Sequence, residues 1–306
     1  MRCGAWQCRL RRGEPSKLSA MIALVSTLTS PMVRKLGLVA SLLILLGSFG
    51  GGSLQKRNSL LSAANLDFLS FGHGAAFSNV TLWLGTVLFV VAWVLMGKLV
   101  IDKVVDADYV RRTLCMWLVP LVGAAPIMSR DVYSYLMQGT LLRDGLNAYT
   151  QGPASNPNQI LFEVSHDWRN TTTPYGPLHL WLGEAVTTVF GDNVTAGVYA
   201  FKALAVAGFV AIMWFVPKIA QRLGADPAFA LWLGVANPVM VFHLVGGMHN
   251  EAMMVGLVTV GLYLVVRQAT YPAVLGGFFA GVALIAVAMA LKASAALCLP
   301  FVVWLV

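Results

Sequence analysis

Long stretches without a charged residue recur along the chain, and they limit its fold more than any other feature. A helix needs about 20 predominantly apolar residues to cross the hydrocarbon core of a bilayer. Backbone polar groups in lipid must be paired internally, which favours helices for such runs. The candidate runs are residues 36–55, 80–97, 113–128, 203–216, 227–246, 252–266 and 268–291. Only 11% of the 306 residues are charged, against about 25% in soluble domains. We therefore predict an all-α integral membrane protein, a multi-span helical bundle.

The charges near the N-terminus predict the orientation of this bundle. Seven Lys and Arg residues and a single acid precede residue 36, and such a bias marks the cytoplasmic side of a first span. We interpret residues 1–32 as a basic cytoplasmic tail, disordered or interfacial, and residues 33–306 as one transmembrane domain. Residues 18–28 resemble a signal-peptide core, but no clear cleavage site follows. Three crossings then place residues 129–177 outside the cytoplasm, in a multi-pass protein of the plasma (inner) membrane.

The chain after this polar segment is harder to orient. Residues 178–190 form a short run that includes His179 and Glu184, and runs this short are more often re-entrant or interfacial than spanning. The sequence leaves the sidedness beyond residue 178 open. Lys202 and Glu184 could form a structural pair inside the bundle. Because the chain ends within an apolar run, we expect further C-terminal spans to be missing.

The polar segment 129–177 is the longest in the chain, and we expect it to carry the chemistry. Ser129 suits an N-cap and Asp131 the first turn of a helix that continues to about residue 143. A helix places polar residues at intervals of three and four on one face; here these are Asp131, Ser134, Tyr135 and Gln138. We interpret this as an amphipathic helix lying along the membrane surface, with its polar face toward a cavity. The alternative is that Asp131 only stabilises the start of the helix.

Aromatic residues accompany hydrogen-bonding groups throughout this segment, a combination that suits sugars, whose rings have apolar faces and polar edges. The aromatic candidates are Tyr133, Tyr149, Trp168 and Tyr175. Arg130 and Arg169 could bind a phosphate with bidentate geometry. The alternative for Trp168 and Tyr175 is an interfacial aromatic belt.

Two further polar positions interrupt the apolar runs. His249, Asn250 and Glu251 lie between two of them, and ionisable groups at such depth are costly and usually functional; a plain polar loop is the alternative. Lys292 follows 24 uncharged residues and could snorkel to the interface or meet a lipid phosphate. No HExxH pattern occurs and the four cysteines are scattered, so neither a metal site nor a disulfide framework is indicated. No basic stripe interleaved with aromatic residues suggests nucleic acid.

Several short motifs, in this order, resemble those of the actinobacterial α-(1→6)-mannopyranosyltransferases of the glycosyltransferase C superfamily. They are Ser-Arg-Asp-Val-Tyr-Ser-Tyr at 129–135, Gln-Gly at 138–139, Trp-Arg at 168–169, Pro-Tyr-Gly-Pro at 174–177, Asn-Pro at 237–238 and Gly-Gly-Met-His-Asn-Glu at 246–251. The resemblance covers residues 36–306. It implies a large extracytoplasmic loop with amphipathic helices and a catalytic acid, and a polyprenyl-phosphate-mannose donor. The implied products are mannan backbones of lipomannan and lipoarabinomannan. Members of this family are substantially longer, so we expect much of the C-terminal half to be absent.

These observations lead to one hypothesis and two rivals. We predict an inverting mannosyltransferase in which Asp131 is the general base and Arg130, Arg169 or Lys292 stabilises the departing phosphate. The predicted partners are the lipid-linked donor, a mannan or lipid-linked glycan acceptor and membrane lipid, without a cofactor, a metal or nucleic acid. The predicted substrate-binding residues are Arg130, Tyr133, Tyr135, Gln138, Tyr149, Trp168, Arg169, Tyr175, His249, Asn250, Glu251 and Lys292. The rivals are a transporter or flippase of a polyprenyl-linked sugar or cell-wall lipid and a non-catalytic scaffold.

Overall fold

The computed structural model describes residues 17–56, 60–270 and 275–304, in which helices and loops occur and strands do not. The helices, numbered in chain order, are α1 (Lys17–Gly51), α2 (Leu60–Ala63), α3 (Gly72–Ile101), α4 (Ala107–Gly123), α5 (Asp131–Arg143), α6 (Pro177–Phe190), α7 (Val194–Arg222), α8 (Pro227–Gly234), α9 (Pro238–Met240), α10 (Glu251–Thr270), α11 (Leu275–Leu291) and α12 (Leu299–Trp304). A π-helix, Val241–Gly246, continues α9.

Three of these helices are long and apolar enough to cross a membrane: Thr29–Gly51 of α1, all of α3, and all of α7. The pair Pro227–Gly234 and Pro238–Gly246 is bent by 54° and would be a fourth span; we call this pair the bent span. Large apolar side chains remain exposed along α3, among them Val80, Trp83 and Val87. A helix whose outer face is apolar suits lipid rather than water, so the predicted all-α, multi-span membrane fold is confirmed.

The helix α1 begins earlier than the sequence suggested. It runs without a break from Lys17 through the position where the tail was predicted to end. Residues 17–32 are therefore helical rather than disordered, and residues 1–16 of the predicted tail lie outside the described residues. The run is rich in Leu, Ala and Met, which favour helices.

Glycines bring α1 and α3 into close contact. A Cβ atom on Gly47 would lie 2.4 Å from the backbone nitrogen of Leu82, and one on Gly85 would lie 2.8 Å from the Ala40 carbonyl oxygen. Small residues allow such an approach in membrane helices.

Two tryptophans join α3 to the bent span. The Trp93 indole donates to the Trp232 carbonyl at 3.1 Å, and the Trp232 indole donates to the Trp93 carbonyl at 2.9 Å. Their rings stack with centroids 5.2 Å apart. Each indole N–H thus donates to the backbone carbonyl of the other residue, and the two bonds together fix how α3 and the bent span align.

The helix α5 ends at the predicted residue and begins one residue later than a Ser129 N-cap would give. Its residues from Val132 to Leu141 are all buried, so other segments of the protein cover it on every side. Gly139 allows the backbone of Gly183 in α6 to pack directly against it. The loop after residue 143 folds back over the polar face of α5. The periodicity of α5 predicted its polar face, but it could not show that later residues of the loop would cover that face.

The predicted short run after residue 177 forms α6, with 14 residues. At 1.5 Å per residue this helix is about 21 Å long, shorter than the ~30 Å hydrocarbon core. Its start is tied to the end of α11, because the Gly176 N–H donates to the Leu291 carbonyl at 2.9 Å.

Candidate functional site

The first turn of α5 presents Asp131 at the edge of the bundle. Arg130 occupies the N-cap position without a side-chain capping bond. Ser129 still satisfies one backbone donor, because its Oγ accepts from the Asp131 N–H at 3.1 Å. The helix therefore begins one residue later than a Ser129 N-cap would give, and the Asp131 side chain stays about one-quarter exposed.

A small cavity of about 50 Å³ lies beside Asp131. Three polar residues of the predicted face of α5 line it together with the returning loop; the full lining is Asp131, Ser134, Gln138, Trp168, Thr171, Thr172, Pro174 and Tyr175. Gln138 is fixed there by a hydrogen bond of 3.1 Å from the Thr173 hydroxyl to its Oε1. The cavity has room for one or two waters.

On its other side, Asp131 meets residues from the distant half of the chain. His249 Nδ1 lies 3.6 Å from Asp131 Oδ2 and 3.9 Å from Glu251 Oε2. Lys292 forms an ion pair with Glu251, and its amine lies 5.4 Å from the centroid of the Tyr175 ring. We call these five residues, Asp131, Tyr175, His249, Glu251 and Lys292, the polar cluster.

The bent span delivers two members of this cluster. Asn237 caps the turn after the bend, its side chain accepting from the Met240 N–H at 2.9 Å. The π-helix then ends at Gly246, and Met248 takes a positive φ of 55° that turns the chain back into α10. His249 directly follows that turn, and Glu251 is the first residue of α10.

The end of α11 delivers Lys292. A Cβ atom on Gly176 would lie 2.2 Å from the Ala290 carbonyl oxygen. The absence of a side chain at Gly176 therefore lets the Tyr175 loop and the Lys292 segment pack backbone to backbone. This contact brings Lys292 beneath the Tyr175 ring.

Unpaired polar atoms concentrate around the cluster. Within the described residues, the buried side-chain atoms without a hydrogen-bond partner are Ser134 Oγ, Tyr135 OH, both ring nitrogens of His179, His249 Nε2, both amide atoms of Asn250 and Glu251 Oε2. Native proteins pair nearly all buried polar groups, so each exception needs an explanation. All of these residues belong to α5, α6 or the 249–251 reversal, and a polar ligand or water held there would explain them.

His179 is a residue of this region to which sequence reasoning gave no role. Its ring lies 4.6 Å from the Tyr135 ring and 4.5 Å from the Tyr175 ring, centroid to centroid. Burial lowers the pKa of His179 to about 4, although Glu251 acts in the opposite direction. The neutral imidazole can donate one hydrogen bond and accept another. Its position inside an apolar run was a signal that could have identified it.

The tyrosines of this region stay protonated. Burial raises the pKa of Tyr175 to about 12 and that of Tyr135 well above its usual value, with nearby Asp131 and Glu251 adding to both shifts. Burial lowers the pKa of His249, against the charges of Asp131 and Glu251. Tyr135 and Tyr175 therefore offer hydroxyl groups rather than charges.

The structure places Arg130 and Tyr133 on the far side of α5. The Arg130 guanidinium contacts Glu163 Oε2 at 2.6 Å and also donates to the carbonyl oxygens of Glu163 and Leu54. Glu163 is 1% exposed and also accepts from the Lys56 N–H. The Tyr133 hydroxyl donates to the Ser53 carbonyl at 2.6 Å. These residues connect the end of α1 to the loop and do not line the cavity beside Asp131.

The other predicted residues of the loop also include some that line the cavity and some that do not. Trp168 lines the cavity and is half exposed, whereas Tyr149 is exposed on the loop and is not among the cavity-lining residues. Arg169 donates to the carbonyl oxygens of Val164 and Phe162.

The considered pairing of Lys202 with Glu184 is not formed, because the Lys202 amine contacts backbone carbonyls instead. A buried lysine needs acceptors, and the sequence could not show that these would be backbone groups from other helices.

A larger cavity, about 680 Å³, lies at the same end of the bundle but away from Asp131. Its lining is mostly polar: Gln55, Lys56, Ser62, Gln159, Phe162, Glu163, Asp192, Asn193 and Val194. The Arg130–Glu163 pair separates it from the polar cluster.

Fold and site together define a class: a multi-span helical membrane protein with a carboxylate-centred polar site where three distant chain segments meet. A family model described as the N-terminal domain of α-(1→6)-mannopyranosyltransferases matches residues 34–306. The chain belongs to this family, as its motifs predicted.

Two relatives give the measure of this similarity. The chain is 56% identical over 271 residues to α-(1→6)-mannopyranosyltransferase A of Corynebacterium glutamicum, a match that covers 86% of this chain and 54% of the relative. It is 41% identical over 270 residues to α-(1→6)-mannopyranosyltransferase A of Mycobacterium tuberculosis, covering 88% of this chain and 51% of the relative. The chain thus spans about half the length of these relatives. No solved structure matches it.

Proposed function

We propose that this protein takes part in transfer of mannose from polyprenyl-phosphate-mannose to a mannan acceptor in α-(1→6) linkage, with inversion at the anomeric carbon. The observation that carries the proposal is the position of Asp131, a partly exposed carboxylate between a cavity lined by Trp168 and the distant residues His249, Glu251 and Lys292. The names of the relatives support the sugar and the linkage.

Asp131 is proposed to act as the general base. It takes the proton from the acceptor's 6-hydroxyl as that oxygen forms a bond to C1 of the donor mannose. The bond from C1 to the phosphate oxygen breaks, and the polyprenyl phosphate leaves with its electron pair. General-base help of this kind contributes about 10²–10⁴-fold.

Asp131 lies between the polar cluster and the small cavity lined by Trp168, and this arrangement supports separate binding positions for donor and acceptor. Arg130 lies on the far side of α5 and Arg169 is engaged with loop carbonyls. Lys292 is paired with Glu251 inside the polar cluster beside Asp131, so it is the better-placed candidate to meet the donor phosphate, a type of charge stabilisation that often contributes most to catalysis. The unpaired groups of Tyr135, His179 and Asn250 would bind hydroxyls of the donor sugar. Trp168 and Gln138 would contact the acceptor. A cavity of about 50 Å³ is too small for a hexose, so we infer that the Trp168–Tyr175 loop moves outward when substrates enter.

Contacts at the opposite end of the bundle support an extracytoplasmic site in a plasma-membrane protein. Lys103, in the loop between α3 and α4, forms an ion pair with Asp226, in the loop between α7 and α8. These two loops therefore share one side, together with Lys218 and Arg222 at the end of α7. Basic residues favour the cytoplasm. We therefore propose that the 17-residue α4 also crosses the membrane and that α6 dips into it without crossing, so that Asp131, His249 and Lys292 face the outside.

The proposal is tested by Asp131→Asn, with mannose transfer from the lipid-linked donor measured in membranes that contain the protein. We expect a loss of about 10²–10⁴-fold, the usual contribution of a general base. Asp167→Asn is the matched control, since Asp167 is an exposed acid of the same loop, and it should change the rate less than twofold.

Transfer by Asp131→Asn at a near wild-type rate would remove Asp131 from the mechanism. Movement of the mannolipid across the membrane by the wild-type protein, without a new glycosidic product, would favour a flippase instead.

A further inference from the structure

Lys202 lies in the first third of α7 and is buried, with 1% of its surface exposed. Its amine donates to the carbonyl oxygens of Val245 at 3.0 Å, Leu121 at 3.4 Å and Gly246 at 3.5 Å. An ammonium group has three N–H donors, so three acceptors match its capacity.

The three acceptors share a structural position. Leu121 is in the last turn of α4, and Val245 and Gly246 end the π-helix of the bent span. The last carbonyls of a helix carry the negative end of its dipole. The Leu121 carbonyl also accepts from the Ala124 N–H at 3.3 Å. Lys202 therefore joins the carboxyl ends of two helices that are far apart in sequence.

Each of these ends leads directly to a residue of the polar cluster. Asp131 follows α4 through the short connection 124–130, and His249 follows the π-helix through Gly247 and Met248. The two connections also touch each other, because the Ile127 N–H donates to the Gly246 carbonyl at 3.2 Å. That same carbonyl accepts from Lys202.

We propose that Lys202 is a positioning residue that holds Asp131 and His249 at their observed separation by tying together the ends of α4 and the bent span. It touches neither side chain and acts through the backbone alone. Without the amine, three buried carbonyls lose a donor, and the two ends have only the Ile127 bond and packing to keep them together. The positioning itself does not depend on the proposed function; only its effect on mannose transfer does.

The first test measures the separation without catalysis, by an NMR titration of His249 in the purified protein. The charge of Asp131 raises the pKa of His249, as does that of Glu251, while burial, His243 and Lys292 lower it. Asp131→Asn should therefore lower the pKa of His249. In the Lys202→Met background we expect this change to be much smaller, because the two side chains are no longer held together. Lys218→Met, near the end of α7, is the matched control and should leave the change intact.

The same response to Asp131→Asn in both backgrounds would overturn the proposal. If Lys202→Met does not fold, Lys202→Gln, whose amide keeps two of the three donors, supplies the comparison and should give an intermediate response. Lys202→Arg keeps several donors and should restore most of the wild-type response.

The second test is mannose transfer. A misplaced catalytic group lowers the rate of the chemical step even when substrates still bind, and about 1 Å can cost up to about 10²-fold. We expect Lys202→Met to lower kcat at least tenfold with little change in KM, and Lys202→Arg to recover activity. Equal kcat values for Lys202→Met and wild type would contradict the proposal. Absence of transfer by the wild-type protein would instead count against the proposed function, and the titration would still decide the role of Lys202.

Discussion

The two sides of α5 differ in whether their buried polar groups have hydrogen-bond partners within the protein. Tyr133 and Tyr135 are two residues apart and equally buried. The Tyr133 hydroxyl has a partner in the Ser53 carbonyl, and beside it Arg130 is paired with Glu163. The Tyr135 hydroxyl interacts with Tyr175, whose ring lies edge-on to it, but forms no well-aligned hydrogen bond, and nearby His179 has two unpaired nitrogens.

This difference separates supporting residues from residues available to a ligand. Leaving a buried polar group unpaired costs about 1–3 kcal/mol, so a fold keeps such groups only where something else meets them. On the Tyr133 side, the network is complete and holds the loop to the end of α1. On the Tyr135 side, the groups surround Asp131 and Lys292, where the proposed donor would lie.

The largest expected effect on stability comes from breaking the Arg130–Glu163 ion pair on the Tyr133 side of α5. Glu163→Ala leaves the Arg130 guanidinium without its carboxylate partner. Loss of one member of a buried pair costs about 3–5 kcal/mol, and since Arg130 keeps about a quarter of its surface exposed, we expect about 3 kcal/mol. Denaturant unfolding in detergent micelles measures this.

Replacing both partners, as in Arg130→Met with Glu163→Leu, should cost less than the single change, because no charge is left unpaired. An unchanged denaturant midpoint of unfolding for Glu163→Ala would show that the network on the Tyr133 side does not stabilise the fold.

On the Tyr135 side, the buried His179 should make the stability of the fold sensitive to acid. Its pKa of about 4 in the folded protein lies below the usual value near 6.5, so the unfolded chain takes up a proton that the folded protein refuses as the pH falls. The stabilising effect is present above pH 6.5 and is lost progressively toward pH 4, by about 2 kcal/mol between pH 7 and 5.

Unfolding of wild type and His179→Phe across this pH range checks the effect, and the variant should lack this component. His73→Phe, at an exposed position, should keep it. Parallel pH dependence in wild type and His179→Phe would show that the imidazole is not buried as described.

The smallest effect comes from the two tyrosines, and it tests the comparison most directly. Tyr133→Phe removes the donor to the Ser53 carbonyl and should cost about 1 kcal/mol of unfolding free energy. Tyr135→Phe removes a hydroxyl whose one polar contact, with Tyr175, is poorly aligned, and should cost little, while weakening binding of a non-transferable mannosyl-phosphate lipid. Equal losses of stability in the two variants would remove the distinction between the sides.

Sequence reasoning reached the local features of the site and stopped at the contacts between segments. Ser129 and Asp131 predicted the start of α5 because helix initiation depends on neighbouring residues. The meeting of Asp131 with His249 and Lys292 depends on how the bent span and α11 pack, which no local pattern records. For the same reason Arg130 was predicted to bind a ligand phosphate, while its observed partner is Glu163, 33 residues away.

The interlocked indoles of Trp93 and Trp232 have a mechanical consequence. Sliding the bent span along α3 by one helical turn would break both of their hydrogen bonds, and at its other end the same span is held by the Lys202 amine. Between these two attachments the span already bends by 54° before Pro238. If this span moves when a substrate arrives, we expect it to swing like a hinge at residues 235–237 and not to shift like a piston.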